Sequence, residues 1–206
     1  MPSVYDLKPL FQRFLRPLVE ACVRRGVTPN HLTLAALLGS VAAGAVLLLA
    51  PGRPVLLLVL PAWLFVRMAL NAMDGMAARE HGMQTPLGAV LNELGDVLSD
   101  LALYLPLARL APGLAWPVAA FCLGALLTEF AGVLGQALGA HRQFAGPMGK
   151  SDRAFGVGAL ALVTALQPRL LGAWPVLLAL ATGLALLTVA HRLRAALAEV
   201  RRGVRP

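Results

Sequence analysis

Apolar residues run through this chain in long blocks. Between Gly26 and Gly52 there is no Lys, Arg, Asp or Glu, and the same holds from Leu110 to Thr128 and from Leu170 to Ala190. A bilayer core of roughly 30 Å is crossed by about 20 such residues in a helix, so these blocks predict transmembrane helices. Interrupted apolar runs fill the space between them. The pattern predicts six spans, at about 32–50, 54–73, 87–109, 114–140, 153–168 and 172–191, with turns marked by Pro51-Gly52, Pro112-Gly113 and Pro168. Thr85-Pro86 marks the start of the third, with Thr as N-cap and Pro at the first helical position. The start of the fifth is the least sharply marked.

Residues 4–24 carry a different pattern. Leu7, Leu10, Phe11, Phe14, Leu15, Leu18 and Cys22 recur at helical spacing, and Lys8, Arg13, Arg16 and Arg24 supply the polar side. This predicts an amphipathic helix lying on the membrane surface, bent at Pro17; a linker helix packed on the protein is the alternative. The expected architecture is therefore an all-α integral membrane protein, with six transmembrane helices preceded by an N-terminal amphipathic surface helix. It is one domain over 1–206: a juxtamembrane helix at 1–25, a bundle at 26–195 and a basic cytoplasmic tail at 196–206.

Composition supports this. Of 206 residues, 58% are hydrophobic and 14% charged, where a soluble domain carries about a quarter charged. The net charge of +8 raises the question of nucleic acid, but no polar domain exists to carry a groove for it. The six-span order puts only Arg53, Arg109 and Arg169 on one side and the other 15 of the 18 basic residues on the opposite side. That asymmetry predicts a multi-pass protein of a bacterial inner membrane with both termini in the cytoplasm. Cys22 and Cys122 form no CxxC pair, so neither a disulfide framework nor a zinc site is indicated. The first 25 residues lack the apolar core of a cleavable signal peptide.

The acidic residues need a separate explanation. Five of the ten lie between Asp74 and Asp100, and Glu93, Asp96 and Asp100 fall within an otherwise apolar span. A charge inside a membrane is costly, so such residues face a cavity, a partner or a metal. One reading makes them packing residues paired with Arg67 or Arg79. Spacing points further. Asn71 and Asp74 share a face at the cytoplasmic end of span two. Gly88, Asn92, Asp96 and Asp100 recur every four residues along span three. At about 1.5 Å per residue, Asn92 and Asp96 lie about 9 and 15 Å from Pro86. Two antiparallel helices thus present oxygen ligands to each other just below the cytoplasmic surface, a donor set suited to Mg²⁺ or Mn²⁺. Gly75 and Gly88 leave room for a ligand, and Arg79, one turn from Gly75, is placed to bind phosphate.

Residues 71–96 read Asn71-x-x-Asp74-Gly75-x-x-Ala78-Arg79, eight residues, Gly88, three residues, Asn92, three residues, Asp96. This resembles the signature of the CDP-alcohol phosphotransferase family, D-x-x-D-G-x-x-A-R-x8-G-x3-D-x3-D. Thr28-Pro29-Asn30 resembles the usual entry to that family's first helix, and within the family the chain resembles the YnbA-like bacterial group. Asn71 and Asn92 stand where the family has aspartates, so the site carries two fewer negative charges. Glu93 and Asp100 are the nearby acids that could compensate.

The resemblance implies phospholipid biosynthesis: transfer of a phosphatidyl group from CDP-diacylglycerol to an alcohol acceptor, with release of CMP. It implies Asn71, Asp74, Asn92 and Asp96 as ligands of Mg²⁺ or Mn²⁺, Asp96 as general base, and Gly75, Ala78, Arg79 and Gly88 as the CDP-binding residues. Glu129, Arg142, Lys150, Arg153 and Asp100 are candidates for the acceptor side, with positive-inside anchoring as the alternative for the basic segment 141–153. The absence of Arg before Glu129 favours an uncharged or zwitterionic acceptor. The implied partners are CDP-diacylglycerol, the acceptor, membrane lipid and a second copy in a homodimer. Rival readings are a family member that has lost catalysis and serves as a membrane scaffold, and an ion-coupled transporter; no inverted repeat supports the latter.

Overall fold

The computed structural model of the chain describes residues 4–49 and 52–203. Pro51 and Arg205 lie outside the described residues, as do the side chains of Leu7 and Lys8. Among the described residues there are seven α-helices and no strand. They are α1 (Val4–Arg24), α2 (Pro29–Leu49), α3 (Val59–Glu80), α4 (Pro86–Tyr104), α5 (Ala115–Ala137), α6 (Lys150–Leu166) and α7 (Trp174–Arg201). Short 3₁₀ turns at Pro54–Leu58, Leu105–Arg109 and Pro168–Ala173 lead into α3, out of α4 and into α7.

Four helical stretches are long and apolar enough to cross a membrane: Pro29–Leu49, Pro54–Glu80, Ala115–Ala137 and Pro168–Arg201. These match the first, second, fourth and sixth expected spans. The third and fifth have helices in the expected places but do not meet the same standard. Helix α4 is interrupted by Glu93, Asp96 and Asp100, and α6 is only 17 residues long with charges in its first turn. The C-terminal segment also departs from expectation. Helix continues to Arg201, so most of the expected tail at 196–206 is the end of α7.

The helix ends follow local chemistry. The Thr85 hydroxyl accepts from Gly88 N at 2.9 Å, and Pro86 opens α4. Asp152 Oδ2 accepts from Gly149 N at 2.9 Å and starts α6. The turn between α3 and α4 passes through Gly82 at φ 65°, a region glycine enters without penalty. This short turn reverses the chain, and both helices pack against α2. Pro9 and Pro17 both lie within the assigned α1. Its Leu15 and Val19 pack on Met73, Met76 and Ala77 of α3, while Leu10, Phe14 and Leu18 stay exposed.

Helices approach closely where residues are small, as in membrane bundles generally. A Cβ at Gly44 of α2 would run into the Ala102 carbonyl of α4. Along the α5–α7 seam, a Cβ at Gly124 would meet Ala185 at 3.1 Å, and one at Gly135 would meet Ala196 at 3.3 Å. The larger apolar core, including Leu47, Leu60, Leu103, Tyr104, Phe121 and Trp174, occupies the end of the bundle away from the α3–α4 turn. Trp174 Nε1 donates to Thr164 Oγ1 and Trp63 Nε1 to Ser40 Oγ, both at 2.9 Å, so the buried and the half-buried indole are both satisfied. The turn end of the bundle is polar.

Candidate functional site

The polar end is built from the facing halves of α3 and α4, the C-terminal halves of α5 and α7, the start of α6, and residues 141–149. Helix α3 presents Arg67, Asn71 and Asp74, four and three residues apart and therefore on one face. Helix α4 presents Gly88, Asn92, Asp96 and Asp100 in the same manner.

Asp74 is buried, and its Oδ2 accepts from Thr33 Oγ1 of α2 at 2.9 Å. Asp96 gathers three groups. Asn71 Nδ2 donates to its Oδ1 at 3.3 Å, Lys150 Nζ donates to its Oδ2 at 2.5 Å, and Arg67 lies 3.5 Å from Oδ1. Arg67 also donates to the Asp96 backbone carbonyl at 3.0 Å. The half-buried Asn92 lies one turn earlier on α4. Arg79 is exposed, and its guanidinium passes over Gly75, where a Cβ would stand 3.1 Å from it. Among the described residues Arg79 forms no salt bridge. A Cβ at Gly88 would meet Asn30 Oδ1 at 2.9 Å, so this glycine brings α4 against the start of α2.

The metal candidates fit a hard divalent cation in chemistry. Asp74 and Asp96 supply carboxylates and Asn71 and Asn92 supply amide oxygens, and the field at Asp96 already draws a cation, the Lys150 ammonium. The set is lean in charge: among the described residues no three His, Cys, Asp or Glu side chains come together as metal ligands. Neither suggested compensator is open. Both Asp100 oxygens are taken, Oδ1 by Arg67 at 2.5 Å and Oδ2 by Arg153 Nε and Nη2 at 3.1 and 3.0 Å. Glu93 is bound by Arg142 at 2.6 Å. The contacts of Asp100 match the packing reading, with Arg67 as a partner, whereas Glu93 is paired with Arg142 and with neither Arg67 nor Arg79.

Beyond Asp100 the network continues to Glu129. Arg153 Nη2 donates to Glu129 Oε1 at 2.8 Å, and Arg142 Nη2 to Oε2 at 3.1 Å. Arg192 of α7 stands 3.7 Å from Oε2 and donates to the carbonyls of Thr128, at 2.5 Å, and Ala145, at 3.3 Å. The Arg153 side chain is 0% exposed. Arg67 and Arg192 are likewise buried. These three are interior charges, not surface anchors of the positive-inside kind. A buried charge is tolerated only when paired and hydrogen-bonded, and each of these guanidinium groups is.

Arg67 entered the sequence reading only as a packing partner of the acids; it lies four residues before Asn71 on the same face. Two contributors were absent from that reading. Thr33 lies one helical turn beyond Pro29 and Arg192 one turn beyond Thr188, but nothing local marks them as reaching Asp74 and Glu129.

Residues 26–191 match the sequence profile of a family described as CDP-alcohol phosphatidyltransferase. Inner membrane protein YnbA of Escherichia coli (strain K12) is 47% identical over 195 residues, which is 95% of this chain and 96% of that one. In fold the chain is similar to the crystal structure of Mycobacterium tuberculosis phosphatidylinositol phosphate synthase (PgsA1) with CDP-DAG bound. The TM-score is 0.74 at 23% identity, covering 89% of this chain and 94% of that one. The same enzyme in complex with manganese and citrate gives 0.71 at 24% identity, covering 87% of each chain.

Proposed function

Because the chain belongs to the CDP-alcohol phosphatidyltransferase family, we propose that it transfers a phosphatidyl group from CDP-diacylglycerol to an alcohol and releases CMP. The observation that carries this reading is the pairing of Asn71 and Asp74 on α3 with Asn92 and Asp96 on α4, across a tight antiparallel turn, in the register of the motif. The solved relatives that hold CDP-DAG and manganese support the donor and the ion.

In this reading Asn71, Asp74, Asn92 and Asp96 hold Mg²⁺ or Mn²⁺. Such an ion, when bound, neutralises charge on the pyrophosphate and so favours displacement at phosphorus. Thr33 fixes the Asp74 carboxylate, and Asn71 and Lys150 fix that of Asp96. Gly75, Ala78 and Gly88 admit the CDP group closely, and Arg79 meets its phosphates. The acceptor enters from the side of Glu129, Arg142, Lys150 and Arg153. Asp96 takes the proton from the acceptor hydroxyl. The freed oxygen attacks the phosphorus that bears diacylglycerol, and the bond from that phosphorus to the CMP oxygen breaks. Arg67 and Asp100 keep α3 and α4 in register, so that the two halves of the motif meet.

The same reading places the protein in a bacterial inner membrane with six spans and both termini in the cytoplasm. Helix α1 lies on the surface with Leu10, Phe14 and Leu18 toward lipid, and the protein works as a homodimer. The acyl chains then remain in lipid while the headgroup reaches the polar end of the bundle. Purified protein in detergent, given CDP-diacylglycerol, Mg²⁺ and a panel of alcohols, is expected to release CMP with at least one of them. The reading fails if CMP appears with none, or appears equally with Asp96→Asn.

A further inference from the structure

The arginines on the acceptor side are already spoken for. Arg142 comes from the segment after α5, Arg153 from the first turn of α6 and Arg192 from the C-terminal half of α7, and all three converge on one carboxylate, Glu129. The side chains of Arg153, Arg192 and Glu129 are 0%, 2% and 7% exposed. Guanidinium groups gathered round one position are the usual means of holding a phosphate. Here an anion of the chain itself fills that position. Each arginine has further partners: Arg142 binds Glu93, Arg153 binds Asp100 and Thr128, and Arg192 binds two backbone carbonyls.

We infer that Glu129 is a built-in counter-anion that sets the acceptor class, so that the alcohol used by this protein carries no phosphate. This rests on the transferase reading of the site. A phosphorylated alcohol brings a charge of about −1.5 to −2 and meets the Glu129 carboxylate where water is scarce and repulsion is strong. To pair with the arginines it must displace a carboxylate that already holds all three. A neutral hydroxyl has no such conflict and needs only hydrogen-bond partners. One is at hand, since among the described residues Arg142 Nε is buried with no partner. The network also links this cluster to the proposed base. Arg142 joins Glu129 to Glu93 on α4, and Lys150, three residues before Arg153, contacts Asp96.

The test compares binding of glycerol 3-phosphate to the full chain and to Glu129→Gln, with CMP present to occupy the nucleotide side. Without the carboxylate, three guanidinium groups face one neutral amide. Glu129→Gln is therefore expected to saturate in a range where the wild type does not, a difference of at least about tenfold in affinity. Equal binding by the two proteins, or binding by neither, overturns the inference. A second arm needs no variant. CMP release by the wild type is measured with glycerol and myo-inositol against glycerol 3-phosphate and inositol 1-phosphate. Faster release with the neutral member of a pair supports the inference, and faster release with the phosphorylated member overturns it. No release with any alcohol counts against the transferase reading, and the binding comparison then decides the role of Glu129 by itself.

Discussion

Asp96 and Asp100 are one helical turn apart on α4, both buried and both acidic, yet the structure gives them opposite vulnerabilities. Asp100 accepts from Arg67 on one oxygen and from two nitrogens of Arg153 on the other. Replacing it with Asn removes the charge and leaves two guanidinium groups, 3% and 0% exposed, short of a counter-ion. Breaking a buried pair in this way costs about 3–5 kcal/mol. At about 2–4 °C per kcal/mol for a chain of this size, the melting temperature should fall by roughly 6–20 °C. Asp96→Asn should fall much less, because its partner Lys150 has a side chain 29% exposed and can turn to water. Its loss should instead appear in turnover, by about 10²–10⁴-fold if it is the general base, with affinity for CDP-diacylglycerol nearly unchanged. The assays are thermal unfolding in detergent and CMP release per folded molecule at saturating donor. The motif, which ends at Asp96, makes Asp100→Asn look the milder change; its contacts make it the milder change in chemistry only. Two equally stable variants, or an Asp100→Asn protein that folds normally but turns over least, would refute the division of labour drawn here.

Three further outcomes follow from other parts of the molecule. Activity should vanish in excess EDTA and return with Mg²⁺ or Mn²⁺, and Asn92→Asp should be tolerated and lower the metal concentration needed for half-maximal rate; full turnover in chelator would remove the metal from the mechanism. Gly44→Ala should cost about 1–3 kcal/mol, as overpacking does, because its Cβ meets the Ala102 carbonyl rather than a movable side chain; normal melting would show that α2 and α4 can part there without loss. Cysteine labelling from each side of the membrane should find both termini in the cytoplasm, and a C-terminus labelled from outside would end the six-span arrangement.

Much of this was legible in the chain because the signals are local. Thr85-Pro86 starts α4 as expected, since an N-cap hydroxyl and a proline act within one turn. The facing of Asn71 and Asp74 with Asn92 and Asp96 follows from helical spacing and one short connection. What escaped was the matching of charges across helices. Nothing near Arg153 says that it turns inward to Asp100 and Glu129, because those partners are 53 and 24 residues away and are brought together only by packing. Thr33 and Arg192 were missed for the same reason. The end of α7 was misjudged because a run of charged residues reads as a solvated tail, while helix formation there needs only good helix formers such as Ala195, Ala196 and Leu197.

The Arg67–Asp100 pair also bears on how such a protein enters a membrane. An isolated Arg or Asp at the centre of an inserting helix opposes entry by about 2.5–3.5 kcal/mol. Helix α3 alone carries Arg67 without its acid, and α4 alone carries Asp96 and Asp100 without a base. In the six-span arrangement proposed above, the short turn at residues 81–85 lets the two helices mask each other's charges, which lowers the free-energy cost of entering as a hairpin rather than one helix after the other. Glu129 of α5 is matched in the same way from close in the chain, by Arg142 just after its own helix and by Arg153 at the start of the next.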